Sequence, residues 1–383
     1  MKKTFQHLLL LSVFLFLNQI LISCSSGDSL KPPEIILEIP NGGFSVVIDQ
    51  TITISPEFTF SEEATCKWSI DNKSYSTARQ LVFTPEKVGK YACTVQVITP
   101  DGEASKSFDI VVTTPYSPYI TKVFEYVYGV GQHASLIPAD SKASDFIGKP
   151  WENNKSFTYL GGWGGYIVAG FDHAVRNREG TDLCIYVQPG SASEPGVIFV
   201  MQDSNNDGQP NDRWYEIKGS EYSHPETIRH YQVTYNKPLN GGNVTWSDNQ
   251  GNSGELKPNF QSESWWWSGY RTSNAITFTG VKLPNAYYDN STTPGTENWV
   301  VKSGLFQTGY AECYNNSDYN STIKANLVDI SNAVDDNGTA VALTSIHFIK
   351  VQSAVFQIAG WLNEISTEIS GASDLHLLDK DIY

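Results

Sequence analysis

Positive charge is scarce in this chain of 383 residues, which carries 26 lysines and arginines against 41 aspartates and glutamates. The formal net charge is −15. Such a surface repels phosphate backbones and anionic lipid headgroups, because like charges are brought together on contact. We therefore expect no nucleic-acid partner and no general attraction to an anionic membrane.

Motifs for catalysis and for zinc binding are also lacking. The chain has no GxSxG, no HExxH and no CxxC, and its seven histidines are scattered without the spacing of metal ligands. Carboxylates are so plentiful that some pair could always be named for glycoside hydrolysis, but none stands in a motif that singles it out. The sequence predicts a protein that is not an enzyme.

No long apolar stripe of helical period is found beyond residue 118; short β-rich runs separated by Gly, Asn and Asp turns occur instead. Alternating strands also fill residues 35–115, and TTPYSP at 113–118 is a proline-marked linker. We predict an all-β chain: an N-terminal immunoglobulin-like sandwich (35–115) followed by a larger jelly-roll-like β-sandwich (119–383) that binds the ligand. The segment 324–334 fits a helix, or equally a strand and turn.

The N-terminus predicts export and lipidation. Two lysines at positions 2 and 3 precede an apolar run, and Leu21-Ile22-Ser23-Cys24 resembles a lipobox. Residues 1–23 are the predicted signal peptide, Cys24 the lipidated residue and 24–34 the tether. The apolar run is too short for a membrane span, so we expect the lipid alone to anchor the chain, at the outer membrane and exposed on the cell surface. A plain secretory signal is the alternative.

Four further cysteines form two pairs along the chain: 66 with 93, and 184 with 313. Each pair falls within one predicted domain. An exported protein permits disulfides, but the spacing does not decide whether either pair is bonded.

Acidic and amide side chains alternate in a loop after the apolar run 197–201, and a glycine follows them at 208. Oxygen ligands at every second residue, with a glycine at the sharp turn, are typical of a calcium loop. Position twelve is Trp214, so the loop is not a complete EF-hand. We predict a structural Ca²⁺ between two strands, held by Asp203, Asn205, Asp207, Gln209 and Asp212; an ion-free hairpin is the alternative. Asp172, Asn177 and Asp182 fit a second cation site less well than a turn.

Aromatic residues make up 13% of the chain, and two segments each hold a group of them. Strand alternation would leave at least one indole of the segment SWWWSGYR exposed, where it could carry a flat ligand such as a sugar ring. Core packing would explain the same residues. The candidate ligand-binding residues are Trp265, Trp266, Trp267, Tyr270 and Arg271 in the first segment, and Tyr287, Tyr288 and Trp299 in the second.

Two resemblances add to these predictions. Trp68 followed by GKYACTVQVITPDG resembles the polycystic-kidney-disease (PKD) type of bacterial surface module. Residues 120–370, above all the succession EPG, DSNNDG and WYE, resemble Bacteroidota cell-surface lipoproteins found with vitamin B12 uptake systems. The second resemblance implies capture of a corrinoid for a TonB-dependent outer-membrane transporter. A glycan-binding protein and an adhesion protein are the alternatives.

Overall fold

The computed structural model of the protein describes ten segments of the chain: 31–59, 64–131, 143–187, 190, 193–239, 242–257, 266–293, 295–314, 316–360 and 362–382. The predicted signal peptide, Cys24, most of the tether and Trp265 lie outside them. Within these ranges, no helix combines the length and apolar character needed to cross a membrane.

The all-β fold is confirmed, with strands throughout both predicted domains. Short 3₁₀ turns occupy Glu152–Asn154 and Ile330–Asn332. The strands are β1 (Glu34–Ile36), β2 (Phe44–Val47), β3 (Ile52–Ile54), β4 (Glu57–Thr59), β5 (Thr65–Ile70), β6 (Lys73–Ser76), β7 (Leu81–Phe83), β8 (Gly89–Thr99), β9 (Gly102–Thr113), β10 (Lys122–Val127), β11 (Thr158–Tyr159), β12 (Tyr166–Arg176), β13 (Leu183–Val187), β14 (Gly196–Met201), β15 (Trp214–Ile217), β16 (Ile228–Asn236), β17 (Val244–Asp248), β18 (Ser253–Leu256), β19 (Ala275–Lys282), β20 (Tyr287–Asp289), β21 (Trp299–Val301), β22 (Tyr310–Ala311), β23 (Tyr319–Asn320), β24 (Ala325–Val328), β25 (Ala333–Val334), β26 (Ser345–Ser353) and β27 (Glu368–Asp374).

The N-terminal strands form an immunoglobulin-like sandwich. A five-stranded sheet in the order β2-β9-β8-β5-β6 is accompanied by the strand pairs β3-β7 and β1-β4. Side chains alternate along β5, so that Cys66, Trp68 and Ile70 point into the core while their neighbours face outward. The indole of Trp68 donates a hydrogen bond of 2.8 Å to the Ala78 carbonyl, which satisfies its one polar atom in the core.

The larger sandwich pairs a seven-stranded sheet with a five-stranded one. The first runs β10-β12-β26-β14-β15-β25, with β22 also paired to β14, and the second runs β11-β27-β13-β24-β23. Successive strands from β10 to β14 alternate between the two sheets, as in a jelly roll. Apolar residues from both sheets meet in one core that includes Ile167, Ile185, Ile198 and Ile349. A separate sheet in the order β18-β17-β16-β19 buries Tyr231 and Tyr235 against Trp163.

Two questions left open by the sequence are answered. Residues 324–334 form a strand, a 3₁₀ turn and a second strand rather than a helix. Cys66, Cys93, Cys184 and Cys313 are all free and buried, so neither suggested pair is bonded. Burial raises the pKa of the Cys93 thiol to about 12 and that of Cys184 to about 11, which makes both unreactive.

The C-terminal end of the chain returns to the N-terminal sandwich. Leu377 is buried in the core of that sandwich, beside residues of β1 to β9. Backbone hydrogen bonds join the Val88 amide to the His376 carbonyl at 3.1 Å and the Lys380 amide to the Val88 carbonyl at 3.0 Å. The ammonium of Lys380 lies 3.0 Å from the Asp71 carboxylate. The two sandwiches are therefore joined by side-chain and backbone contacts besides the linker.

Candidate ligand-binding site

The first predicted aromatic segment is mostly buried. Trp266 and Trp267 belong to the core cluster around Trp163, so the expected exposed rings are not found at these two positions. Residues 266–271 form turns rather than a strand, so strand alternation does not apply to them. Tyr270 is exposed, while the guanidinium of Arg271 lies 5.2 Å from the centre of the Trp267 ring.

The second aromatic group lies in the hairpin of β20 and β21 and belongs to a different core cluster. Tyr287 is buried there and Trp299 is partly buried, whereas Tyr288 is exposed. The core therefore holds most of the predicted aromatic rings. Tyr270 and Tyr288 are the exposed rings of the two groups among the described residues.

The predicted calcium loop joins β14 to β15, between two strands as expected. The Asp203 carboxylate accepts hydrogen bonds from the amides of Asp207 (3.2 Å) and Gly208 (2.9 Å), and Gly208 has a positive φ of 69°. The side-chain amides of Asn211 and Asn205 donate to Asp207 at 2.9 and 3.1 Å. The bond from Asn211, followed by that from the Gln209 amide, lowers the pKa of Asp207.

The loop's own hydrogen bonds engage the oxygens that would bind the ion. The Asp212 carboxylate accepts from the Ser204 amide at 2.9 Å, and the Gln209 carbonyl accepts from the Asn211 amide. Across the described segments, no three His, Cys, Asp or Glu side chains form a metal-binding group. Carboxylate, amide and carbonyl oxygens in one turn still suit Ca²⁺ chemically, so the calcium site stays a prediction.

A cavity of about 440 Å³ lies between the two sandwiches, where sequence reasoning placed no site. We call it the interdomain cleft. Residues far apart in the chain line it, among them Asp49, Tyr116, His173, Arg178, Asp374 and His376. The N-terminal sandwich, the linker and the larger sandwich each contribute a wall. Its volume is within the range of about 300–1,000 Å³ that is typical of small-molecule sites.

Two stacked rings form one wall of the interdomain cleft. The rings of Tyr116 and His173 are 5.2 Å apart at an angle of 21°, and Tyr116 remains 49% exposed. His173 is held on both sides, because its Nδ1 lies 2.8 Å from Asp172 and its Nε2 lies 2.9 Å from Asp374. Burial alone lowers the pKa of His173, but the bonds to Asp374 and Asp172 outweigh it and raise the pKa. The Tyr116 ring therefore packs on a histidine whose orientation is fixed, and about half of its surface remains exposed.

Ion pairs also line the interdomain cleft. The Asp49 carboxylate lies 2.6 Å from Nη2 of Arg178 and 3.3 Å from Nε of Arg176. Asp182, fully buried, accepts hydrogen bonds from the Arg178 amide at 2.8 Å and the Ile330 amide at 2.9 Å, and its Oδ1 lies 3.1 Å from Nε2 of His376. Asp182, one of the residues considered for a second cation, therefore fixes a turn and a histidine.

Sequence reasoning missed the interdomain cleft because no local motif marks it. The return of the C-terminal segment to the N-terminal sandwich is what brings together positions 49, 116, 178 and 376. The one available signal was an aromatic residue in the linker TTPYSP, at the point where two domains meet.

Comparisons with known proteins identify only part of the chain. No curated protein matches it in a sequence search. Among solved structures, a Bacteroides ovatus surface protein (SGBP-B) of a mixed-linkage glucan utilization locus, in complex with a heptasaccharide, is 13% identical over 71% of this chain and 70% of its own, with a TM-score of 0.20. A quinonprotein alcohol dehydrogenase-like protein of Bacteroides thetaiotaomicron is 14% identical over 59% of this chain and 63% of its own, also with a TM-score of 0.20.

A SusE-like protein is 10% identical over 90% of this chain and 96% of its own, with a TM-score of 0.14. Scores this low do not establish a shared fold, and nothing about ligands follows from them. The family of PKD-like domains matches residues 32–99. The N-terminal sandwich is therefore a PKD-like domain, as the strand pattern around Trp68 predicted.

Proposed function

We propose that the protein is a non-catalytic, lipid-anchored surface protein that captures a carbohydrate in the interdomain cleft. The observation that carries the proposal is the half-exposed ring of Tyr116, stacked on His173 at the wall of a cavity of about 440 Å³. Capture for uptake needs only binding, so no catalytic group is required. The proposal includes export of the protein, lipidation at Cys24 and delivery of the ligand to a TonB-dependent transporter.

The chemistry of the walls supports a sugar as the ligand. The C–H face of a pyranose ring packs on an aromatic ring, and a ring such as Tyr116 that is already supported loses little freedom on binding. Around it, Asp49, Arg176 and Arg178 present hydrogen-bonding groups whose orientations are fixed by their ion pairs. A few fixed polar groups around an apolar surface are typical of selective small-molecule sites.

A corrinoid, the first choice of the sequence analysis, has less support than a glycan. The comparisons offer nothing in its favour, and a corrin ring with its nucleotide tail is much larger than the one or two sugar rings that would fill the interdomain cleft. It remains a test ligand because the resemblance of residues 120–370 suggested it.

The test is isothermal titration of residues 25–383 with a panel of neutral polysaccharides (β-glucan, xylan, mannan, galactan and starch) and with cyanocobalamin. We expect saturable binding of at least one polysaccharide. Tyr116→Ala should weaken it at least about tenfold, because a ligand ring stacked on an aromatic side chain contributes on the order of 1–3 kcal/mol in the case of a nucleobase.

Tyr270→Ala is the matched control, because Tyr270 is also exposed (60%, against 49% for Tyr116) but does not line the interdomain cleft. Loss of binding in Tyr270→Ala alone would move the site to the segment that the sequence analysis favoured. If cyanocobalamin gave a heat of binding and no polysaccharide did, the ligand would be a corrinoid and the carbohydrate proposal would be wrong.

A further inference from the structure

Residues 151–154 form a turn with an unusual backbone, which we call the Trp151 turn. Trp151, Asn153 and Asn154 have positive φ values of 66°, 56° and 61°. Asparagine adopts this left-handed conformation comparatively often, but for a residue as bulky as tryptophan it is an outlier that a glycine would relieve. Such residues cluster at ligand-binding positions, where the surrounding structure holds the costly conformation in place. The backbone of Trp151 therefore marks the turn as a candidate site.

Contacts with neighbouring residues hold the Trp151 turn in this shape. The Lys155 amide donates a hydrogen bond of 3.1 Å to the Glu152 carbonyl, and the Lys155 ammonium donates to the Ile147 carbonyl. The ring of Phe157 packs against the Trp151 ring at a centroid distance of 5.0 Å and an angle of 69°. An indole that is already fixed loses little freedom when a ligand packs on it.

The aromatic and polar side chains of the Trp151 turn are open to solvent. Trp151 is 40% exposed, and Asn153 and Asn154 are exposed as well. The indole nitrogen and the two side-chain amides form no hydrogen bond with the parts of the chain that the structure describes. An exposed tryptophan alone would be ordinary on a protein surface. Here two asparagine amides accompany it, and each presents two donors and an acceptor oxygen to a ligand.

These groups match the chemistry of an uncharged sugar. The C–H face of a pyranose ring packs on an indole, and asparagine amides bond to hydroxyl groups because a hydroxyl both donates and accepts. The one charged side chain of the turn, Glu152, has an oxygen 3.1 Å from the Lys149 ammonium, so its charge is already paired. An ionic ligand would therefore find no free counter-charge within the turn.

The Trp151 turn is separate from the interdomain cleft, since none of its residues lines that cavity. The segment that leads to the turn begins close to the linker. The Gly148 amide donates a hydrogen bond of 2.8 Å to the Ile120 carbonyl, and Ile120 comes four residues after Tyr116. Four residues of chain span at most about 14 Å. Both sites therefore border the start of the larger sandwich, where a carbohydrate of several rings could contact both.

We propose that the Trp151 turn is a second sugar-binding site: the Trp151 indole stacks on a sugar ring, and the side-chain amides of Asn153 and Asn154 bond to its hydroxyl groups. This inference rests on the proposed carbohydrate function and deepens it. The ligand becomes a carbohydrate chain held at two places, rather than one or two rings held in the interdomain cleft. Two linked contacts on one chain bind more tightly than either alone, because the second forms within the complex that the first has made.

The first test removes the indole. Trp151→Ala is titrated with the polysaccharide of the panel that binds the wild type most tightly. We expect the affinity to fall at least about fivefold, and Trp151→Phe to lose less because it keeps an aromatic face. Tyr270→Ala, which removes an exposed ring outside both sites, is the control, and thermal unfolding checks that each variant is folded. Unchanged affinity in Trp151→Ala, with binding lost in Tyr116→Ala, would overturn the inference and leave the carbohydrate function standing.

The second test removes the amides without changing the backbone. Asn153→Gly and Asn154→Gly keep the left-handed conformation, which glycine adopts freely. Each should weaken binding of the same polysaccharide about three- to tenfold, as the loss of a hydrogen bond predicts. Asn72→Gly is the matched control, because Asn72 has a φ of 63° in a turn of the PKD-like domain. Wild-type affinity in both Asn153→Gly and Asn154→Gly would contradict the role assigned to the amides.

A spectroscopic readout reports contact directly. In protein labelled with 5-fluorotryptophan, the ¹⁹F resonance of Trp151 is the one that is missing in Trp151→Phe. It should shift when the polysaccharide is added to the wild type, and also to Tyr116→Ala, because the two sites are separate. A Trp151 resonance that stays in place at saturating polysaccharide would show that the carbohydrate binds elsewhere and that the inference is wrong. If no polysaccharide of the panel binds, the carbohydrate function itself fails.

Discussion

Two acidic side chains, Glu194 and Glu312, meet one buried segment of the larger sandwich. Glu194 accepts a hydrogen bond of 2.7 Å from the Ser366 amide, and Glu312 accepts one from the Glu368 amide. Amides two residues apart in an extended segment point the same way, so the two carboxyls lie on the same side of it. Burial, reinforced by the neighbouring glutamates, raises the pKa of Glu194 to about 8 and that of Glu312 well above its usual range.

Glu194→Gln should change how stability depends on pH. The pKa of Glu194 is near 4.5 when unfolded and about 8 when folded, so the folded state holds the proton more tightly. The stability from this group is complete below pH 4.5 and is lost as pH rises to about 8. Glutamine accepts the same Ser366 hydrogen bond without ionising. In urea unfolding, the free energy of unfolding of the variant should therefore rise relative to that of the wild type between pH 5 and pH 8.5.

The exposed Glu226→Gln is the control for this comparison, because it removes one charge without touching the buried segment. If the unfolding free energies of the wild type and of Glu194→Gln differed by a constant amount across that pH range, Glu194 would ionise normally.

At the scale of single elements, the loop between β14 and β15 gives a test of the calcium prediction. Ca²⁺ at about 100 times its Kd should raise the unfolding midpoint by roughly 5–10 °C over protein in EGTA. Asp207→Asn should reduce this shift, because Asp207 is the central carboxylate of the loop. Asp101→Asn, in the turn between β8 and β9, should leave it unchanged. A midpoint indifferent to Ca²⁺ would mean that the loop's hydrogen bonds alone maintain the turn.

The glycine-rich segment 161–165 lets two backbones meet before β12. A Cβ on Gly165 would lie 1.8 Å from the Leu160 carbonyl oxygen and 2.3 Å from the Gly129 amide nitrogen. Gly165→Ala should therefore lower the unfolding free energy by about 2–3 kcal/mol or more, because backbone atoms cannot move aside cheaply. Gly269→Ala is the matched control, since a Cβ there meets open space. Equal midpoints in urea for the two variants would contradict the close approach.

Elements were predictable where a local pattern determines them. The alternation in β5 and the Asp/Asn/Gly turn after β14 were sufficient to place strands and loop, because each is decided by neighbouring residues. The segment 324–334 was ambiguous because its apolar spacing fits both periods. Trp266 and Trp267 were misjudged because turn residues follow no alternation. The interdomain cleft was not predictable, because it depends on contacts between distant parts of the chain.

At the scale of the whole molecule, the C-terminal segment links the stability of the two sandwiches and completes the interdomain cleft. Leu377 is buried in the N-terminal core, while its neighbour Leu375 is buried in the larger sandwich with Cys184 and Leu378. Neighbouring leucines therefore face different cores, and the segment between them carries His376 into the wall of the cleft. Separation of the sandwiches would remove that wall.

Leu377→Ala should consequently uncouple the two domains. Truncation of a buried leucine costs about 2–5 kcal/mol, and here the loss falls on the PKD-like domain and its junction. We expect calorimetry to show one transition for the wild type and two for the variant. Sugar affinity should fall because residues 47–50 and His376 would no longer line one cleft. Leu375→Ala should instead destabilise the larger sandwich alone. A single transition with unchanged affinity in Leu377→Ala would mean that the linker suffices to hold the domains together, and that the interdomain cleft does not depend on the returning C-terminal segment.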